Sequence, residues 1–528
     1  MRINSQSSAA GSRRVVILAA VFALLLLAPL ARADVKLPAL FTDHMVLQHG
    51  MSVPVWGWAD EGEQVTVTFT GQKHTTRAVG GKWRINLTAL KASVAPEALV
   101  VQGKNRIELK NVVVGEVWIA SGQSNMQMAL SGCFEPQKEI TNSANRNLRL
   151  FYVPLVKADA PVTDIGGQHR GAKPVWMVAA SNTVADFSAV AYFFGRDLQK
   201  SRQVPVGIIH TSAGGSPAEV WISHAVLSAN AEFKRDILDA YPKSLDNFKT
   251  AKANWDKAAA EAKDAGKKME GKAPAPPSWK PGELYNSMIA PLIPFAIKGG
   301  IWYQGESNAG RAWQYRTLFA DMIKNWRKDW GQGDFAFLTV ELAPFQKIQT
   351  EPGDSNWAEL REAQIVASKN VGNAGTVTIT DVGEETDIHP KKKEPVGARL
   401  ALLALKTAYG EKLIADGPTF KSAKFEGNKA TITFDNVGSG LLVKGSEEAK
   451  GFAICGEDRK FVWAKAEIKG ETMVLTSDKV AKPVAVRFGW ANYPVVNLWN
   501  KDGLPAHPFR TDTFPVTTEP AAKQAAKK

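Results

Sequence analysis

The segment Val113-Val114-Gly115-Glu116-Val117-Trp118-Ile119-Ala120 constrains this chain more than any other. It is almost continuously apolar. In a strand, successive side chains face opposite sides, so a run of this kind needs an apolar layer on both faces. A sheet with one wet face would alternate instead. The run therefore predicts a parallel strand inside an α/β sheet. The downstream pattern agrees. Ser188 to Lys200 has helical spacing, and short apolar strands are expected at Val206–His210, Gly300–Tyr303, Phe335–Leu342 and Gly375–Thr380. Strand, loop and helix alternate, as in a layered α/β unit.

The flanks read differently. Residues 34–112 alternate in strand fashion at Ser52–Trp58, Gln64–Phe69, Lys82–Leu87 and Asn105–Leu109, which predicts a small sandwich or jelly roll. Residues 416–517 turn β-rich again, with strands at Lys429–Phe434 and Val484–Phe488. The α/β unit is thus expected over 113–415. Within it, 225–282 is rich in Ala, Lys, Asp and Glu and ends in a proline-rich return, so it reads as a helical insertion. Residues 518–528 read as a disordered polar tail.

The first 33 residues read as an export signal. Arg2, Arg13 and Arg14 precede the apolar run Val15–Leu30, and Ala31-Arg32-Ala33 supplies small residues for cleavage before Asp34. The run is short for a spanning helix. A periplasmic or extracellular protein without a retained membrane anchor is the expectation. The formal charge of +13 falls to +9 once the four arginines of that segment are removed. The remaining lysines are dispersed, with no aromatic–basic platform, so the charge reads as solvated surface rather than a nucleic-acid site. The two cysteines, Cys133 and Cys455, are as readily free and buried as paired.

Chemistry concentrates at the carboxyl ends of the expected strands, where open α/β sheets bind ligands. Ser121-Gly122-Gln123-Ser124-Asn125 follows the first apolar run directly. Ser124 is a candidate nucleophile, and with Gln127 it also spells a helix-capping box. Gly214-Gly215-Ser216-Pro217-Ala218-Glu219 follows the strand at Val206. Ser216, Pro217 and Glu219 read as a helix start, while the glycines would let a backbone N–H approach a ligand. Gln304-Gly305-Glu306-Ser307-Asn308 follows Trp302-Tyr303. Asp387-Ile388-His389 follows the last strand, ahead of a helix expected near Pro395, and offers a general base.

These blocks together resemble the sialate O-acetylesterase family, a branch of the SGNH (GDSL-type) hydrolases. The resembling segments are Gly122-Gln123-Ser124-Asn125, Trp302 to Asn308 and Asp387-Ile388-His389-Pro390, supported by Asn286 to Leu292 and Gly489-Trp490-Ala491-Asn492. The resemblance runs over about residues 36–515. It implies a flavodoxin-like three-layer SGNH hydrolase domain flanked by all-β domains. It also implies metal-free, cofactor-free hydrolysis of acetyl esters on sialic acids or related sugars. Ser124 matches the nucleophile, His389 the base, and Gly215 an oxyanion N–H. Two positions depart from the superfamily pattern. The acid is expected three residues before the histidine, where Thr386 stands; Asp387, Asp381 or no acid at all could orient His389. The third oxyanion donor is open among Gln304, Glu306, Ser307 and Asn308, with Asn308 favoured. Gln123 is expected to line the site.

Two other functions fit the sequence. An acetylxylan or other polysaccharide acetylesterase would use the same fold. A non-catalytic carbohydrate-binding protein would use the 16 tryptophans, whose faces stack on sugars, and the two β regions. A metal hydrolase does not fit, because there is no His-Glu-x-x-His and no cysteine cluster.

Overall fold

The computed structural model describes Met1 and residues 34–521. The expected export signal and most of the expected tail lie outside the described residues. The elements that position the site are β1 (Arg106–Gly122), β2 (Asn145–Tyr152), β3 (Trp176–Ala179), α1 (Ala189–Arg202), β4 (Val206–Ser212), α2 (Ala240–Asp264), β5 (Gly299–Tyr303), α3 (Ala312–Trp330), β6 (Ala336–Val340), α4 (Asn356–Val371), β7 (Ala374–Val377) and α5 (Glu394–Thr407).

The large sheet runs β7-β6-β5-β1-β4-β2-β3. All neighbours are parallel except the antiparallel pair β2 and β3. The apolar run does cross the middle of this sheet, and both its faces are covered. Val117 and Ile119 join the core built on α3 and α4, whereas Trp118 and Ala120 join the core built on α1 and α5. The alternation of side chains thus sorts one strand between two cores, giving three layers. Five of the parallel strands, β4-β1-β5-β6-β7, follow the flavodoxin order, with the first strand between the second and third; β2 and β3 extend the sheet beyond β4. The consequence is functional: the three polar loops following β4, β1 and β5 are immediate neighbours.

Strand β1 is longer than the apolar run. Its first half pairs with Ser93–Gln102 and with Val46–Gln48. It therefore runs without a break through residues 112 and 113, carrying the N-terminal β-rich part into the large sheet. The C-terminal part forms separate sheets with their own core around Ile432, Phe452 and Phe488. The insertion contributes α2, which buries no residue. No helix among the described residues is long and apolar enough to cross a membrane. Cys133 and Cys455 are free and buried, and burial pushes both thiols up to about 11.

Candidate active site

Ser124 opens a single helical turn, Ser124–Gln127, directly after β1. The capping box expected there does not form, because Gln123 is the N-cap and makes no side-chain cap. Ser124 Oγ instead lies 2.8 Å from His389 Nε2. Gln127 Oε1 accepts the N–H of Gly214 at 2.8 Å. The elbow is set by a close strand approach. Gln123 donates its N–H to Tyr303 O at 3.0 Å, and a Cβ at Gly122 would stand 2.2 Å from that same oxygen.

The second expected cap is also absent. The short 3₁₀ turn Ala218–Trp221 begins after Pro217. Ser216 Oγ donates to Ala213 O at 2.7 Å and accepts from Trp221 Nε1 at 2.9 Å. Glu219 faces Arg311 and Asn308 rather than its own helix start. Aromatic packing around Trp221 and the demands of a neighbouring loop therefore override the local capping pattern. Gly215 sits at φ +72° with open space where a side chain would be. Its N–H and that of Ser124 have no acceptor among the described residues.

The loop after β5 braces the segments on either side of the serine. Gln123 Oε1 accepts the N–H of Gly305 and of Ser307, each at 3.3 Å, and Ser307 Oγ donates to Gly215 O at 3.0 Å. Gln304 and Asn308 are buried beneath. Both amide protons of Gln304 are engaged, by Ser216 O at 3.2 Å and Asn308 Oδ1 at 2.7 Å, so it has no donor to offer a ligand. Asn308 donates to Glu219 Oε2 at 2.9 Å and keeps its second amide proton.

Asp387, one of the expected acids, is loosely placed against the histidine ring. Asp387 Oδ1 accepts the backbone N–H of His389 at 2.9 Å and lies 3.5 Å from the ring Nδ1. That separation is beyond a good hydrogen bond. Asp381 is engaged elsewhere, in a two-pronged contact with Arg399 at 2.7 and 2.8 Å. The structure thus puts Asp387, and not Asp381, beside the histidine.

Two residues to which the sequence assigned no role, Asn125 and Lys393, are joined to this arrangement. Asn125, fully buried, donates to Glu306 Oε1 at 2.6 Å and to Ile388 O at 3.0 Å. Lys393, 1% exposed, donates to Asn125 Oδ1 at 2.5 Å. One amide therefore bonds beside both candidate residues, since Asn125 follows Ser124 and Ile388 precedes His389. A cation on its oxygen and a carboxylate on its nitrogen fix which way it points. Burial pushes the Lys393 ammonium down to about 8 and holds the Glu306 carboxyl above the usual range, so desolvation outweighs the attraction between them. Asn125 was in view as the neighbour of the serine. Lys393 was hidden in the run Lys391-Lys392-Lys393, whose composition reads as surface.

A paired serine and histidine beside free backbone donors can carry out acyl transfer. Comparison with known proteins gives the same class. Residues 270–406 match the family model described as carbohydrate esterase, sialic acid-specific acetylesterase. A carbohydrate acetylesterase from Xanthomonas citri is 38% identical, with a TM-score of 0.78, over 91% of this chain and 100% of that one. The chain belongs to the sialate O-acetylesterase family. Rat and human sialate O-acetylesterases are 28% and 26% identical, over 88% of this chain and 92% and 90% of theirs. As a sialate O-acetylesterase family member the protein is a carboxylic ester hydrolase. The family match also spans β5, the Gln304–Asn308 loop and His389, though not Ser124, which the fold brings in from β1.

Proposed function

We propose that this protein removes O-acetyl groups from sialic acids or related sugars by two-step acyl transfer through Ser124, His389 and Asp387. The observation that supports it is the 2.8 Å contact between Ser124 Oγ and His389 Nε2, at a point where three neighbouring strands end. With the ring proton on Nδ1 facing Asp387, the hydroxyl donates to Nε2. His389 takes that proton as Ser124 attacks the acetyl carbonyl. The N–H groups of Ser124 and Gly215 and the second amide proton of Asn308 stabilise the oxyanion. His389 then protonates the departing sugar oxygen, and water repeats the sequence to release acetate. Residues 113–415 carry the chemistry, with 34–112 and 416–517 as flanking domains. The composition of residues 1–33 supports action in the periplasm or outside the cell. The substrate assignment rests on the family and on the Xanthomonas carbohydrate acetylesterase.

The test is turnover of p-nitrophenyl acetate and of an O-acetylated sialic acid by Ser124→Ala. Loss of the nucleophile should lower kcat by roughly ten-thousand-fold or more on both. Retained turnover would overturn the assignment. The acid is tested separately. In a tight triad, removing the acid's charge costs about ten-thousand-fold. At 3.5 Å and with both side chains about two-fifths exposed, Asp387→Asn should cost only about 10- to 100-fold. Asp381→Asn should keep wild-type turnover and instead lower stability by about 1–3 kcal/mol, since Arg399 loses its partner. A larger kinetic loss in Asp381→Asn than in Asp387→Asn would reverse the assignment.

A further inference from the structure

Of the 16 tryptophans, Trp463 is the one that stands exposed among the described residues, at 42%. Its indole is not loose. Nε1 donates to Thr350 O at 2.7 Å, which sets the ring's orientation. The ring forms one wall of a cleft of about 280 Å³ that also presents Tyr493, Gln349, Glu351, Glu448 and Lys450. Two further exposed apolar side chains gather here: Val495 lines the cleft, and Ile348 precedes it. An aliphatic patch and an aromatic face left open beside unpaired polar groups ask for an amphipathic partner. Glu351, Glu448 and Lys450 form no ion pair among the described residues, so they remain available to hydroxyl groups.

The cleft is tied to the catalytic loop. Tyr493 donates its hydroxyl to Gly383 O at 3.3 Å, and Ile348 donates its N–H to Glu385 Oε1 at 2.8 Å. Phe345 forms a bridge with Glu384. Gly383 to Glu385 leads into Asp387 and His389. The wall of the cleft and the segment that carries the base are thus one connected structure.

We propose that this cleft is a second subsite that holds one neutral pyranose unit of the glycan whose acetyl ester is cleaved at Ser124. The volume suits a single ring. The ring's C–H face would lie on Trp463, and its hydroxyls would meet Gln349, Glu351 and Glu448. Two carboxylates against one lysine disfavour an anionic sugar here. The substrate is then an oligosaccharide or polysaccharide, not a lone acetylated sugar. This inference rests on the acetylated-sugar reading above and adds a chain to it.

The experiment compares the full-length wild type with Trp463→Ala and Trp463→Phe. Each is assayed on p-nitrophenyl acetate and on acetylated xylohexaose, and unmodified xylohexaose and cellohexaose are titrated by tryptophan fluorescence. Trp463→Ala should raise KM for acetylated xylohexaose about tenfold, equivalent to ~1.4 kcal/mol, with kcat unchanged. The phenylalanine variant should fall between. Turnover of p-nitrophenyl acetate should stay within about twofold, which also reports a folded enzyme. Equal KM for wild type and Trp463→Ala, or no fluorescence response to either neutral hexaose, would overturn the subsite. Tighter binding of N-acetylneuraminic acid than of both neutral hexaoses, abolished by Trp463→Ala, would overturn the neutral assignment. Failure of the esterase reading looks different: p-nitrophenyl acetate alone would be cleaved, with every acetylated sugar untouched.

Discussion

At the scale of single residues, the site depends on Asn125 more directly than on any acid. Its amide spans the backbone on either side of the serine–histidine contact, and Lys393 fixes its orientation. Lys393→Met keeps the bulk and removes the donor. Asn125 Oδ1 then loses its partner, and a small displacement of Ser124 against His389 should lower kcat by about 10- to 100-fold with little change in KM. The same variant reports on pH. Burial holds Lys393 at about 8 against the usual 10.5. Between those values the unfolded chain binds the proton that the folded chain has released, so folding stability rises with pH across that window. Urea midpoints at pH 7.5 and pH 10 should show wild type gaining on Lys393→Met by up to ~3 kcal/mol. A parallel pH response in the two proteins would contradict the buried-cation picture. Ser124 and His389 were legible in sequence because each follows a strand within a polar cluster. Lys393 was not, because burial of one lysine in a row of three is decided by tertiary packing alone.

At the scale of elements, the sequence carried the strands better than the turns. The apolar runs marked β4, β5 and β6 within a few residues, and at β1 the half of the strand that crosses the large sheet, since continuous apolar character is what double coverage demands. Ser188 caps α1 as its helical pattern suggests, accepting the N–H of Ala191 at 3.2 Å. The capping patterns at Ser124 and Ser216 misled because each hydroxyl has another partner: Ser124 faces His389 from a remote loop, whereas Ser216 is taken by its near neighbours Ala213 O and Trp221 Nε1. A capping motif holds only where no other group competes for its hydroxyl. The join between β1 and β5 is the element-scale feature that the site cannot lose. Gly122 has φ +142°, and a Cβ there would collide with Tyr303 O. Gly122→Ala should destabilise the protein by about 2–4 kcal/mol and lower kcat, because relieving the clash swings Ser124 away from His389. Chemical denaturation and the p-nitrophenyl acetate assay measure both. A variant with wild-type stability would show that the strands can separate without strain.

At the scale of the whole molecule, the C-terminal β-rich part is fastened to the α/β core through buried polar contacts. Arg361 of α4, wholly buried, donates to Leu342 O on its own side of the seam and to Ala491 O and Asn492 O on the other, at 2.7 to 3.0 Å. Glu359 accepts from the backbone of Thr517 and Thr518. None of these partners is near the other in sequence, so the seam was invisible to any reading of local pattern. Its most titratable element is His507, whose Nδ1 lies 2.7 Å from Glu341 Oε1 just beyond β6. Burial opposes the charge on His507, yet the carboxylate of Glu341 prevails and raises its pKa above 6.5. A raised histidine stabilises the fold fully below its ordinary pKa, and that contribution disappears as pH climbs through the raised one. His507→Ala leaves Glu341 buried without its partner and should cost about 3 kcal/mol at pH 6. At pH 8.5 the wild type has itself surrendered much of that stabilisation, so the gap between wild type and variant should narrow. Urea midpoints of both proteins at the two pH values decide it. A gap that widens with pH would mean that the pair is neutral when folded, and that the seam is held by Arg361 and Glu359 without it.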